Sequence, residues 1–234
     1  CVSEIAKSQG KSSGKSATSS SKSLLKLTTL SASMLGVLGL GISNIAQAEI
    51  LDDGGSYAWS ENVYYVIDDT ITNNTTFQAN NIYLSNGTPP SKLNITNNGK
   101  VNSQVTILTN DAIATIDAGQ LNTDVLAVGY QGTGTINTNN GAVITSAQGI
   151  NIGDASDGNA SKGSGAINVS GVNSKISSPL LGIGVKGNGQ LNVSDSATVN
   201  VDGMVLGRNE ASNQGKVTVS DKGSSINISN TLIV

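Results

Sequence analysis

Apolar residues follow two patterns along this 234-residue chain. Leu27 to Ile42, "LTTLSASMLGVLGLGI", is one dense apolar block studded with small residues. Beyond it, Val, Ile and Leu recur at every second position in short runs separated by Gly, Asn, Ser and Thr. A period of two is that of a strand with one buried face, and no segment beyond the block keeps a helical period. From Gly129 the runs recur in a fixed order. A first run reads "GTINT" (134–138), "GAINV" (165–169), "GQLNV" (189–193) and "GKVTV" (215–219). A second follows as "GAVITS", "NSKISS", "SATVNVD" and "SSINIS", and a third ends at Val128-Gly129, Ile152-Gly153, Ile183-Gly184 and Leu206-Gly207.

Units of roughly 23 to 31 residues, each too small to bury a face alone, must stack on copies of themselves. The fold expected is all-β, a right-handed parallel β-helix of three short strands per coil. Stacking puts Ile136, Ile167, Leu191 and Val217 in one inward column, and Val169, Val193 and Val219 in a second, with Thr138 as its weaker member. Strand alternation then turns Asn137, Asn168, Asn192 and Thr218 outward as a hydrogen-bonding ladder. Gly134, Gly165, Gly189 and Gly215 suit corners that need positive φ or close backbone approach, as do Gly129, Gly153, Gly184 and Gly207. The units differ chiefly in the stretch after the third run, where a solenoid tolerates variation because the loop leaves the stack. A β-sandwich is the rival, but it does not require the same ordered triplet in every unit.

The apolar block has its own logic. Lys7, Lys11, Lys15, Lys22 and Lys26 precede it, and Ala46-Gln47-Ala48 follows. Basic n-region (1–26), apolar h-region (27–42) and a small-x-small site make a secretory signal, disordered or helical, cleaved after Ala48 and before Glu49. The block is shorter than the ~20 residues that span a bilayer, and no basic stop-transfer cluster follows. Between leader and repeats, residues 49–113 hold six of the seven aromatics: Tyr57, Trp59, Tyr64, Tyr65, Phe77 and Tyr83. A solenoid end left open would pair with other chains, so this part is expected to be an N-terminal cap and first irregular coils. An aromatic carbohydrate patch is the alternative. "KLNITNNGKV" (92–101) reads as a degenerate coil, and residues 114–234 as β-helix repeats cut short at Val234.

"VSEIAKSQGKSS" (Val2–Ser13) resembles the end of the extended signal peptide region of Gram-negative autotransporters and related large secreted adhesins. The resemblance covers about a tenth of the chain. It implies a natural start upstream of Cys1 and type V export: Sec translocon, signal peptidase, then an outer-membrane β-barrel formed by the protein's own C-terminal domain. The destination it implies is the cell surface, outer membrane or medium.

Composition narrows the chemistry. Beyond the leader stand eight basic and fifteen acidic residues, a net charge of about −7, which disfavours nucleic acid as a partner. The single cysteine, Cys1, lies in the leader, so disulfides do not hold the rest together. Histidine is absent, which removes Ser-His and Cys-His nucleophile pairs. Gly10, Gly14, Lys15 and Ser16 fall one residue short of a phosphate loop and follow no apolar strand. "GIGVKG" (182–187) spells a dinucleotide fingerprint but precedes a strand rather than a helix. Asp154, Asp157 and Asn159 in the longest loop fit no calcium-loop spacing, and a solvated loop is the plainer reading. The adjacent pairs Asp52-Asp53 and Asp68-Asp69 point to opposite faces of a strand. Asp195, Asp202 and Asp221 suit repeat turns. No cofactor, metal or catalytic residue is expected, and the chain is read as no enzyme.

The expected function is that of a surface-exposed passenger, an adhesin or autoaggregation factor that contacts host surfaces or like passengers on neighbouring cells. A two-partner secreted haemagglutinin is an alternative, although the N-P-N-G turn of that family is not found. A stalk displaying an enzyme domain outside this stretch is another. Exported from a Gram-negative cell, the mature chain is predicted to begin Glu49-Ile50-Leu51; N-terminal sequencing that finds the leader retained refutes the cleavage assignment.

Overall fold

The computed structural model describes residues 45–46, 50–51, 54–58, 62–65, 69–85, 90–154, 163–207 and 214–234, all within one compact unit, Ile42–Val234. These residues form a parallel β-solenoid without a helix. The first turns are built from β1 (Ile45–Ala46), β2 (Ile50–Leu51), β3 (Ser56–Ala58), β4 (Asn62–Tyr65), β5 (Asp69–Ile71), β6 (Thr76–Gln78) and β7 (Asn81–Leu84). Six regular turns follow, each a short strand and then a long one. They are β8 (Lys92–Thr96) and β9 (Lys100–Leu108), β10 (Ala112–Asp117) and β11 (Gln120–Val128), β12 (Thr133–Asn139) and β13 (Val143–Ile152). The last three are β14 (Ser164–Val169) and β15 (Lys175–Ile183), β16 (Asn188–Val193) and β17 (Thr198–Leu206), β18 (Gln214–Val219) and β19 (Ser225–Ile233).

The short strands make one sheet, in the order β18-β16-β14-β12-β10-β8-β5-β2. The long strands make a second, running from β1 and β4 through β7 and β9 to β19, with β3 and β6 alongside. This differs from three separate strands per coil. The second and third runs join into one strand of nine or ten residues that bends at a register shift, between Thr123 and Val125, Thr145 and Ile150, or Val201 and Gly203. Only in the first turns is the long strand broken in two: β6 pairs with the first half of β9 and β7 with the second. The regular stack also begins earlier than Gly129. Lys92–Thr96 pairs in register with β10, and the division at residue 113/114 falls inside β10.

The core is a set of columns. Leu93, Ala114, Ile136, Ile167 and Leu191 lie opposite one another in successive short strands, each at most 1% exposed. Ile95, Ile116, Thr138, Val169 and Val193 form the next inward column, with Thr138 buried and its hydroxyl within 3.3 Å of the Asn168 carbonyl oxygen. On the long sheet Phe77, Val101, Leu121, Ile144, Ile176 and Val199 stack in the same way. Tyr57 sits opposite Phe77 and packs against the core, so these two aromatics are members of rungs rather than of a separate lid. Trp59 lies outside the described residues. In β18, Val217 stands opposite Leu191 and Val219 opposite Val193.

Two kinds of corner close each turn. Between short and long strand, tight reversals put two residues at positive φ: Asn73 and Asn74, Asn97 and Asn98, Asn140 and Gly141, Asp195 and Ser196. Each is closed by a backbone bond, such as the Gly99 N–H to the Thr96 carbonyl at 2.7 Å. Asn and Asp tolerate this left-handed region because their short polar side chains bond locally. Asp221 likewise sits at a turn with positive φ, whereas Asp202 lies within β17 at the register shift, because the strand bends there without ending.

Burying each Ile of the inner columns removes a large apolar side chain from water, and truncation there leaves a void that neighbouring rungs close only in part. Ile167→Ala is therefore expected to cost about 2–5 kcal/mol; urea unfolding of the variant checks this, and a loss below about 1 kcal/mol contradicts it.

Candidate binding face

The corner from a long strand to the next short strand combines two glycines in different roles. Gly129, Gly153, Gly184 and Gly207 end the long strands at φ of 65 to 74°, where an L side chain is strained. Gly134, Gly165, Gly189 and Gly215 open the next short strands without positive φ; their need is space. A Cβ on Gly165 would stand 2.0 Å from the Val128 carbonyl oxygen, and one on Gly189 2.3 Å from the Gly184 nitrogen. The two glycines of a corner bring the chain close together, so stretches of different length can join at the same stem. Asp154 lies in the longest of these loops; Asp157 and Asn159 lie outside the described residues, as do Asp52, Asp53 and Asp68, while Asp69 is buried in β5. "GIGVKG" runs from the end of β15 directly into β16, with no helix to hold a pyrophosphate. Among the described residues no three Asp, Glu, Cys or His side chains gather into a possible metal site.

Outside the short-strand sheet, Asn137, Asn168, Asn192 and Thr218 stand opposite one another. Asn168 donates its side-chain N–H to Asn137 Oδ1 at 2.8 Å, and Asn192 donates to Asn168 Oδ1 at 2.7 Å. Gln190 donates to Asn192 Oδ1 at 3.0 Å. An amide carries two donor hydrogens and two acceptor lone pairs, and stacking engages about half of that capacity. A second ladder on the long sheet was not anticipated from sequence. Asn122 donates to Asn102 at 2.9 Å and Asn227 to Asn200 at 2.8 Å, with Thr145 and Ser177 in register between them.

Beside the first ladder runs a shallow groove of about 260 Å³ that spans four rungs. Thr133, Ser164, Asn188 and Gln214 form one wall column, and Thr135, Ala166, Gln190 and Lys216 the other. Lys216, at one end, is the charged member of the lining. Asp111, one rung beyond Thr133 at the other end, accepts a hydrogen bond from the Thr133 hydroxyl and donates its backbone N–H to the Thr133 carbonyl at 2.9 Å. Hydroxyls, amides and two end charges of opposite sign can hold a polar partner that runs along the stack.

The bend of the long strand carries a further element that the alternation concealed. Ser103, Thr123 and Ser146 stand in register at the bend, with Ser178 in the corresponding place of β15. Ser146 Oγ lies 2.8 Å from the carbonyl oxygens of both Asp124 and Gly149, and accepts the Gly149 N–H at 3.0 Å. Thr123 Oγ1 lies 2.9 Å from the Val125 carbonyl oxygen, and Ser178 Oγ 2.8 Å from that of Leu180. A bulge interrupts the ladder, and buried hydroxyls partner the backbone groups it frees. The signal lay in the Ser that closes "GAVITS" and "NSKISS". Of the residues at the expected cleavage site, Ala46 belongs to β1, paired with Tyr65 of β4; Ala48 and Glu49 lie outside the described residues.

No known protein family, curated protein or solved structure was found to match the chain.

Truncating Asn168 to Ala removes a half-exposed ladder link and is expected to cost about 1 kcal/mol, whereas Ser146→Ala strips a partner from buried backbone and is expected to cost up to about 3 kcal/mol. Chemical unfolding of both variants tests this order, and a larger loss from Asn168→Ala contradicts it.

Proposed function

We propose that this chain is part of an exported passenger of the autotransporter type, which works by adhesion through its outer polar faces and not by catalysis. The observation that carries this reading is the in-register amide ladder on the outside of the stack, joined by bonds of 2.7 and 2.8 Å. A stack repeats the same weak contact at every rung, so binding strength comes from the number of rungs engaged at once. The n-region, h-region and Ala46-Gln47-Ala48 order supports export, and the Val2–Ser13 segment supports the type V route, with the Sec translocon, signal peptidase and an outer-membrane barrel as partners in transit. The outer face then meets either a host surface or like chains on other cells.

The experiment is display of the chain on a Gram-negative cell through an outer-membrane barrel. Cells are expected to adhere to one another or to a host-cell layer. Replacing Asn137, Asn168 and Asn192 together by Ala should lower that adhesion at least tenfold at equal surface level. Adhesion unchanged by the triple substitution contradicts the reading.

A further inference from the structure

We propose that the corner Asn140-Gly141 is a site of spontaneous chemical modification, loss of the Asn140 side-chain amide through a succinimide, held in check by the hydroxyl of Ser174 in the next turn. This chemistry is independent of what the outer faces bind.

An Asn followed by Gly is the pair most open to the reaction, because glycine sets no side chain in the way of its own nitrogen. The Gly141 nitrogen attacks Asn140 Cγ and forms an N–Cγ bond. The Cγ–Nδ2 bond breaks, and ammonia leaves with the proton from the glycine nitrogen. Water then opens the cyclic imide. Opening at Cγ gives aspartate; opening at the main-chain carbonyl gives isoaspartate, with the chain routed through Cβ. The reaction needs a glycine nitrogen released from its hydrogen bond, and space for the ring.

The chain contains four Asn-Gly pairs, of which Asn98-Gly99, Asn140-Gly141 and Asn188-Gly189 are among the described residues. Two of these three are closed to the reaction. The Gly99 N–H donates to the Thr96 carbonyl at 2.7 Å, and a Cβ on Gly99 would stand 2.2 Å from the Ile71 carbonyl oxygen. Gly189 lies in β16 between β14 and β18, and a Cβ there would stand 2.3 Å from the Gly184 nitrogen. Gly141 differs on both counts. The nearest atoms to a Cβ on it would be 3.8 Å away, in Val172 and Asn173. Its N–H donates to a side chain, Ser174 Oγ, at 3.1 Å. Asn140 itself is exposed, so water reaches it.

The Ser174 contact recurs along the stack. The Gly54 N–H donates to Thr75 Oγ1 at 3.0 Å, and the Ser196 N–H to Ser224 Oγ at 3.1 Å. In each case a hydroxyl from one turn further on holds the N–H that follows an Asp or Asn: Asp53, Asn140 and Asp195. These are the residues whose side chains can cyclise onto that nitrogen, Asp by losing water in place of ammonia. Ser174 and Thr75 are at most 1% exposed, so water replaces the hydroxyl only when the corner opens.

Conversion also alters the contact with the preceding turn. Asn140 donates its side-chain N–H to Asp117 Oδ1 at 2.6 Å. Either product sets a carboxylate against Asp117, and an attraction between the two corners becomes a repulsion. Isoaspartate also adds a methylene next to Asn139, whose carbonyl accepts the N–H groups of Ala118 and Ala142, each at 3.1 Å.

The test is peptide mass spectrometry of the full chain after incubation, folded, in warm and mildly alkaline buffer. Conversion is read separately at Asn98, Asn140 and Asn188. In the unaltered chain Asn140 should convert at least threefold faster than either of the others, and at least tenfold more slowly than in a free peptide of residues 137–144. Ser174→Ala should speed conversion at Asn140 about fivefold, the effect of one lost hydrogen bond, and leave Asn98 and Asn188 unchanged. Ser174→Thr keeps a hydroxyl, as Thr75 does in its own turn, and should hold Asn140 close to the unaltered rate. The other two pairs separate the loss of one contact from general unfolding, which would speed all three. The proposal is overturned if Asn140 converts no faster than Asn98 and Asn188. It is overturned equally if Ser174→Ala leaves Asn140 unchanged or speeds all three alike, or if Ser174→Thr speeds it as much as Ser174→Ala.

Discussion

The fold depends on parallel pairing in register between successive turns. A single turn of a short and a long strand has no interior of its own. Ile167 is buried because Ile136 and Leu191 lie on either side of it and the long strand lies across. Stability of this kind is the sum of modest contributions within a rung and larger ones between rungs.

Register then does a second task. Because side chains alternate across a strand, fixing the inward columns fixes the outward ones. The position between Ile167 and Val169 must face out, and Asn at that place in three successive rungs becomes a ladder. The groove beside it arises in the same way, since its walls are the outward neighbours of the corner glycines. The outer face is therefore set by the core, and a slip of one residue would turn the ladder inward and destroy both.

Much of this was legible in the chain. Ile136, Ile167 and Leu191 could be aligned because a glycine two residues earlier marks each rung, and the Asn ladder followed by parity. The bend of the long strand was harder to read. In Gln120–Val128 the buried positions are Leu121, Thr123, Leu126, Ala127 and Val128, so the alternation slips by one between Thr123 and Leu126. A polar Thr at the slip looks like the end of a strand, and two strands were expected where one continues. The second ladder was hidden in part for a related reason: Asn102 and Asn122 precede the repeats that looked regular, and Thr145 and Ser177 stand between them and the Asn200–Asn227 pair that lies within those repeats. The roles of the corner glycines could not be separated either, since positive φ and close approach select the same residue.

The measurement that bears most directly on this account is native-state amide hydrogen exchange along the stack. If each rung is held by its neighbours, strands β12, β14 and β16 should be the slowest to exchange and should open together. Rungs that open independently of their neighbours would contradict a fold whose stability resides in the contacts between turns.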